Sequence, residues 1–109
     1  MKRPTDIANY ELAEAAEADL RSIALYTISR WGSKQAARYG AILHAHFEAI
    51  GNGKTRTRTF LPHRPELRVS RIDHHYVFHL NREKQCPIIL AVFHENMDLM
   101  SRLRARLGD

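Results

Sequence analysis

Apolar residues recur at steps of three and four between Glu14 and Trp31. Ala16, Leu20, Ile23, Ala24, Thr27, Ile28 and Trp31 form one stripe of a helix. Acids near its start (Glu14, Glu17, Asp19) and Arg30 near its end suit the helix dipole. Gly32 stops it, and Ser33 is a candidate cap for the next helix. There Ala36, Gly40, Leu43, Phe47 and Ile50 step four, three, four, three, up to "GNG" at 51–53. A two-residue connection predicts an antiparallel helix hairpin, with Ala36, Ala37 and Gly40 allowing close approach. Trp31 and Phe47 are expected in its core. Alternation at "NYEL" (9–12) predicts a short strand before the hairpin, preceded by a loose lead-in over 1–8.

Past "KTRTRTFLPHRPE" (54–66), read as a basic loop, the apolar period changes from helical to alternating. "LRVSRI" and "HYVFHL" read as two strands about an Asp73–His74 turn. "NREKQC" is the next turn. "PIILAVF" (87–93), apolar on both faces, reads as a central covered strand opening on Pro87. The tail over 95–109 reads as a last helix, with Met100, Leu103 and Leu107 as its apolar line. Asn96 is its expected N-cap, with Asp98 at its positive end. The order predicts a single α+β domain over 1–109, β-α-α-β-β-β-α, with the helix hairpin packed on one face of an antiparallel sheet.

A two-residue turn also sorts the strand residues by face. Leu67, Val69 and Arg71 would meet Leu80, Phe78 and Tyr76 on a mostly apolar face, expected to pack on the helices. Arg68, Ser70 and Ile72 would meet His79, Val77 and His75, which places Arg68, His75 and His79 on the uncovered side of the sheet.

Hydrophobic residues at 44% and charged residues at 27% exclude a disordered chain. The longest apolar run, Ile88–Phe93, is too short to span a bilayer, and the N-terminus lacks the apolar core of a signal peptide. The one cysteine, Cys86, has no internal partner, which suits a reducing cytoplasm. A net charge of +5 predisposes the protein to acidic partners: nucleic acid, an acidic inhibitor protein, or an acidic enzyme face. His44 and His46 diverge by ~200° on a helix, and no set of ligands has metal-site spacing, so neither metal nor other cofactor is expected.

Three stretches carry a family resemblance: "YELAEAAEADLRSIALYTISRWGSKQAARY" (10–39), "RPELRVSRIDHHYVFHL" (64–80) and "IILAVFHENMDLMSRL" (88–103). Together, in this order, they resemble the ParE branch of the RelE/ParE toxin superfamily. The chain departs from the family pattern at Glu66, Asp73 and His79, where glycine, glycine and tyrosine are usual. The resemblance implies the toxin of a type II toxin–antitoxin pair, neutralised by a ParD-like antitoxin. ParE toxins poison DNA gyrase, whereas RelE relatives cut messenger RNA on the ribosome.

Both readings have candidate residues. A ribonuclease needs a base, an acid and cations for its transition state, and Arg68, His75, His79 and His94 have that chemistry. A non-catalytic gyrase inhibitor would grip its target with Arg68, Arg71, His75, His79, His94, Glu95, Met97, Asp98 and Arg102. The basic residues Arg56, Arg58, Arg64 and Arg71 suit an acidic antitoxin. With no helix-turn-helix and no aromatic platform, direct nucleic-acid binding is not expected outside a toxin–antitoxin complex. The ParE-like helix pair and junction, and a tail without Tyr or His, favour the inhibitor.

Overall fold

The computed structural model describes residues 9–108, so the lead-in over 1–8 lies outside the described residues. The elements are β1 (Glu11–Leu12), α1 (Glu14–Trp31), α2 (Ser33–Gly51), β2 (Arg58–Thr59), β3 (Leu67–Ile72), β4 (His75–Arg82), β5 (Gln85–His94) and α3 (Leu99–Leu107). The strands form one sheet in the order β1-β5-β4-β3-β2. β1 runs parallel to β5 and the other pairs are antiparallel, so the sheet is mixed.

Gly32 alone joins the two helices. Its φ of 93° lies in the left-handed region that glycine tolerates, and its N–H closes on the Ile28 carbonyl. Ser33 makes no capping bond and is already helical. The Asp73–His74 turn is as expected, with Asp73 at φ 51° and every β3–β4 pair in the anticipated register. The next turn is shorter than "NREKQC": only Glu83 and Lys84 separate β4 from β5. Pro87 therefore lies inside β5, where an irregularity between Leu80 and Arg82 breaks the ladder and removes the need for its missing N–H.

Both faces of the sheet are covered. On one, α1 and α2 enclose Ala16, Leu43, Phe47 and Ile50 against Val77, Ile89 and Val92. On the other, α3 and the segment before β3 place Leu61 and Leu103 against Leu67, Val69, Phe78, Ala91 and Phe93. A second irregularity explains how β5 serves both. His79 pairs with Ile89 but Phe78 pairs with Ala91, so the extra residue, Leu90, shifts the alternation mid-strand.

The facing of the hairpin is the reverse of the sequence-based expectation. The apolar Leu67–Val69–Phe78 face lies under α3, while the face bearing Arg68, Ser70, His75 and His79 lies under the helix hairpin. Helix α2 makes this possible by supplying polar partners. The Tyr39 hydroxyl meets His75 Nδ1 at 2.6 Å and His46 Nε2 meets the Ser70 hydroxyl at 2.8 Å. Buried polar groups are tolerated when hydrogen-bonded.

Trp31 is not in the core: it is 68% exposed. Beyond Thr27 no residue of α1 is buried, and the first buried residue of α2 is Leu43, so the tip of the helix hairpin extends past the core. Phe47 is fully buried, as expected, in edge contact with Tyr10. Gly40 does not mediate close packing, since a Cβ there would meet nothing within 4 Å.

Candidate functional site: a divided interaction surface

The four residues proposed for nuclease chemistry do not converge on a cleft. His79 is 2% exposed and His75 8% exposed, both beneath α2. Burial pushes the His75 imidazole down to about 4, reinforced by the neighbouring His94 and His74. Burial likewise pushes His79 down to about 4, with Arg68 adding to it. Groups of that pKa are weak bases at neutral pH, and enclosure denies them a substrate. Tyr39 is raised to about 12, by burial and then by Asp73 and Glu95, so its hydroxyl keeps its proton where it meets His75 Nδ1.

Arg68 is engaged structurally. Its Nε bonds the Thr57 hydroxyl at 3.1 Å, and its terminal nitrogens bond the Thr59 hydroxyl at 2.7 Å and the Thr57 carbonyl at 2.9 Å. These bonds hold the segment before β3 in extended form, which the reading of 54–66 as a loop missed. The alternation in "TRTRT" (55–59) was the available signal: threonines go to Arg68 and arginines to the opposite face. Arg58 pairs with Val69, so its side chain shares the face of Val69, Arg71 and Tyr76.

On that face is an open cleft of about 520 Å³ lined by Arg56, Thr57, Arg58, Val69, Ser70, Arg71 and Tyr76. The structure thus gathers three of the four arginines assigned to an acidic partner and leaves Arg64 outside. No acid lines the cleft, though the Arg71 guanidinium ion-pairs with Glu95. Arg71 also stacks over the Tyr76 ring, 5.5 Å from its centroid.

The "FHENMD" junction adjoins this cleft. Glu95 bridges Arg71 and His74, whose Nδ1 lies 2.8 Å from its second oxygen. The bond to His74, then Arg71, holds the Glu95 carboxyl below its usual range. His94 Nδ1 accepts the Asn96 N–H at 3.1 Å. The helix starts later than Glu95: Asp98, not Asn96, is the N-cap, accepting from the Ser101 N–H and hydroxyl. Those bonds hold the Asp98 carboxyl low. Met97 and Arg102 are exposed beside it. Among the described residues, no three His, Cys, Asp or Glu side chains form a candidate metal site.

A second surface lies on the helix hairpin, where part of the apolar stripe expected in the core is exposed. The helix-hairpin tip exposes Leu25, Tyr26, Ile28, Trp31 and Ile42. Between Asp19 and Glu48 the chain has no acid, while Arg21, Arg30, Lys34 and Arg38 are cationic. The tip is apolar and positive, a composition that marks protein-binding surfaces. The sequence signal was the absence of acids over 20–47, masked by a stripe that looked like core.

The sequence model describing the ParE toxin of type II toxin–antitoxin systems, parDE, matches residues 10–99. The chain belongs to the ParE toxin family. A Toxin ParE from Escherichia coli is 42% identical over 98 residues, which cover 90% of this chain and 95% of that protein. Among solved structures, the chromosomal ParDE TA system from P. aeruginosa superposes with a TM-score of 0.66 at 14% identity, over 78% of this chain and 92% of that one. At that identity the likeness concerns the fold. The ParE match includes the arginine cleft, the buried histidines and the helix hairpin, and ends at the first residue of α3. No helix among the described residues is long and apolar enough to cross a membrane.

Proposed function

We propose that this ParE toxin inhibits DNA gyrase by non-catalytic binding and is neutralised by a cognate, acidic antitoxin. The observation that carries the reading is the enclosure of His75 and His79 under α2, which denies a substrate to the two imidazoles on which the ribonuclease reading rests. Two features support binding instead: the apolar, positive tip of the helix hairpin and the arginine cleft beside α3. The antitoxin takes the tip with a helix and the cleft with acidic residues, a division that suits a partner which folds on binding. Gyrase is met by the exposed side of the junction, Met97 and Arg102 included, in the cytoplasm.

The deciding experiment runs the purified protein in parallel gyrase supercoiling and DNA-cleavage assays and a ribosome-dependent RNA-cleavage assay. Inhibition with accumulation of cleaved DNA, and intact RNA, is the expected result. RNA cleavage abolished by His75→Ala in a folded variant would establish the ribonuclease instead.

A further inference from the structure

The helix hairpin projects past the core from Thr27 on α1, round Gly32, to Leu43 on α2, the residues at which burial stops and resumes. Leu25, Tyr26, Ile28 and Trp31 are exposed at this end of α1. At ~100° per residue they lie round the helix in the order Tyr26, Leu25, Ile28, Trp31 and span about 220° of it. A helix packed against one partner surface buries a stripe about 100° wide or somewhat more. A fluid medium that the tip enters end-on covers the whole arc. All four side chains lie within seven residues of Gly32, about 10 Å along the helix axis. That length matches the ~5–10 Å to which apolar side chains enter the headgroup–acyl boundary of a bilayer. Trp and Tyr favour that boundary, because each has an apolar body and a polar edge.

Charge narrows the choice of medium. Arg30, Lys34 and Arg38 occupy the same length of hairpin, with Arg21 behind them, and no acid lies between Asp19 and Glu48. None of the four cations makes an ion pair among the described residues. Arg30 lies over the Tyr26 ring, 5.8 Å from its centroid, so its charge sits at the border of the apolar patch. Long basic side chains lay their methylene stems along apolar surface while the charged head reaches polar ground. A second copy of the tip would bring like charges together. A nucleic acid would take the cations and leave Leu25 and Ile28 in water. A surface that is anionic outside and apolar beneath satisfies both sets.

We propose that the hairpin tip docks end-on to an anionic lipid bilayer. Leu25, Tyr26, Ile28 and Trp31 enter the headgroup–acyl boundary, and Arg30, Lys34 and Arg38 meet lipid phosphates. The docking is peripheral, and it is open to the protein while the tip is free of the antitoxin proposed for the same surface. It does not rest on the identity of the toxin's target.

Trp31 is the only tryptophan of the chain, so its fluorescence reports the tip directly. The test adds unilamellar vesicles of phosphatidylcholine, with or without phosphatidylglycerol, to the purified full chain. Vesicles containing phosphatidylglycerol are expected to shift Trp31 emission to the blue and to quench it when their upper acyl chains are brominated. In flotation they should bind at least tenfold more tightly than phosphatidylcholine alone. Lys34→Gln with Arg38→Gln should weaken flotation at least tenfold, since each basic residue near an anionic surface adds to the attraction. Leu25→Ser with Ile28→Ser should weaken it at least tenfold as well, and thermal melts check that both variants keep the fold. Arg56→Gln with Arg58→Gln, in the sheet cleft, should float as the wild type does. Unshifted Trp31 emission with phosphatidylglycerol vesicles would overturn the proposal. So would flotation without quenching by brominated lipid, flotation that Leu25→Ser with Ile28→Ser leaves intact, or an equal loss from the Arg56 and Arg58 changes. An oligothymidylate that shifts Trp31 emission where vesicles do not would overturn it in favour of a nucleic-acid site.

Discussion

Asp19 and Arg106, 87 positions apart, meet through two hydrogen bonds of 2.9 Å. The same Asp19 carboxylate accepts the Val92 N–H, and the same Arg106 donates to the Leu90 carbonyl and lies over the Phe93 ring. One pair thus ties α1 and α3 to the strand between them. Helix α3 has only nine residues, too few to be stable alone, so this anchor and buried Leu103 hold it in place.

Arg106→Ala should destabilise the protein by about 3 kcal/mol, because it strands a mostly buried carboxylate. Asp19→Leu combined with Arg106→Met should lose less than the two single changes summed. Urea denaturation of the four proteins, including the wild type, checks this. Additive losses would show that the pair is not coupled.

Phe47→Ala and Trp31→Ala should behave oppositely. Phe47 is fully enclosed, so its truncation should cost ~3–5 kcal/mol of stability. Trp31 is exposed, and its truncation should change stability by less than ~0.5 kcal/mol. As an exposed aromatic on the proposed antitoxin surface, it should instead cost over ~2 kcal/mol of antitoxin affinity. Calorimetric titration beside thermal melts separates the two effects.

Two glycines of α2 should also diverge. An alanine at Gly51 would drive its Cβ into the Asn9 carbonyl, and Gly51→Ala should cost ~1–3 kcal/mol. Gly40 faces open space, so Gly40→Ala should stabilise the helix by up to ~1 kcal/mol. Melting temperatures moving in opposite directions are the expected outcome.

The buried histidines set a pH dependence. His75 and His79 sit near 4 when folded, below the ordinary histidine value near ~6.5. Between those limits the unfolded chain binds more protons, so stability is full above about 6.5 and falls as pH drops toward 4. Each unit of displacement is worth about 1.4 kcal/mol per proton. His79 Nδ1 has no partner among the described residues, so His79→Leu should flatten the profile and raise stability at pH 5. A denaturation midpoint identical at pH 7 and pH 5 would contradict this.

The sequence by itself determined the local elements. The stripe over Ala16–Ile23, the stop at Gly32 and the Asp73–His74 turn depend on spacing and backbone conformation, which neighbouring residues fix. The turn likewise fixed the β3–β4 register, pair for pair. Which face of that hairpin meets the helices was decided only by the tertiary structure. Apolar content favoured the Leu67–Phe78 face, but α3 and Leu61 also needed an apolar surface and took it. The histidine face could then be buried because Tyr39 and His46, remote in sequence, bond His75 and Ser70, leaving only His79 Nδ1 of that face without a partner among the described residues. The same dependence governs Trp31: its spacing belongs to the buried stripe, but a stripe is buried only as far as the sheet beneath it extends, and the packed core ends before the helix does.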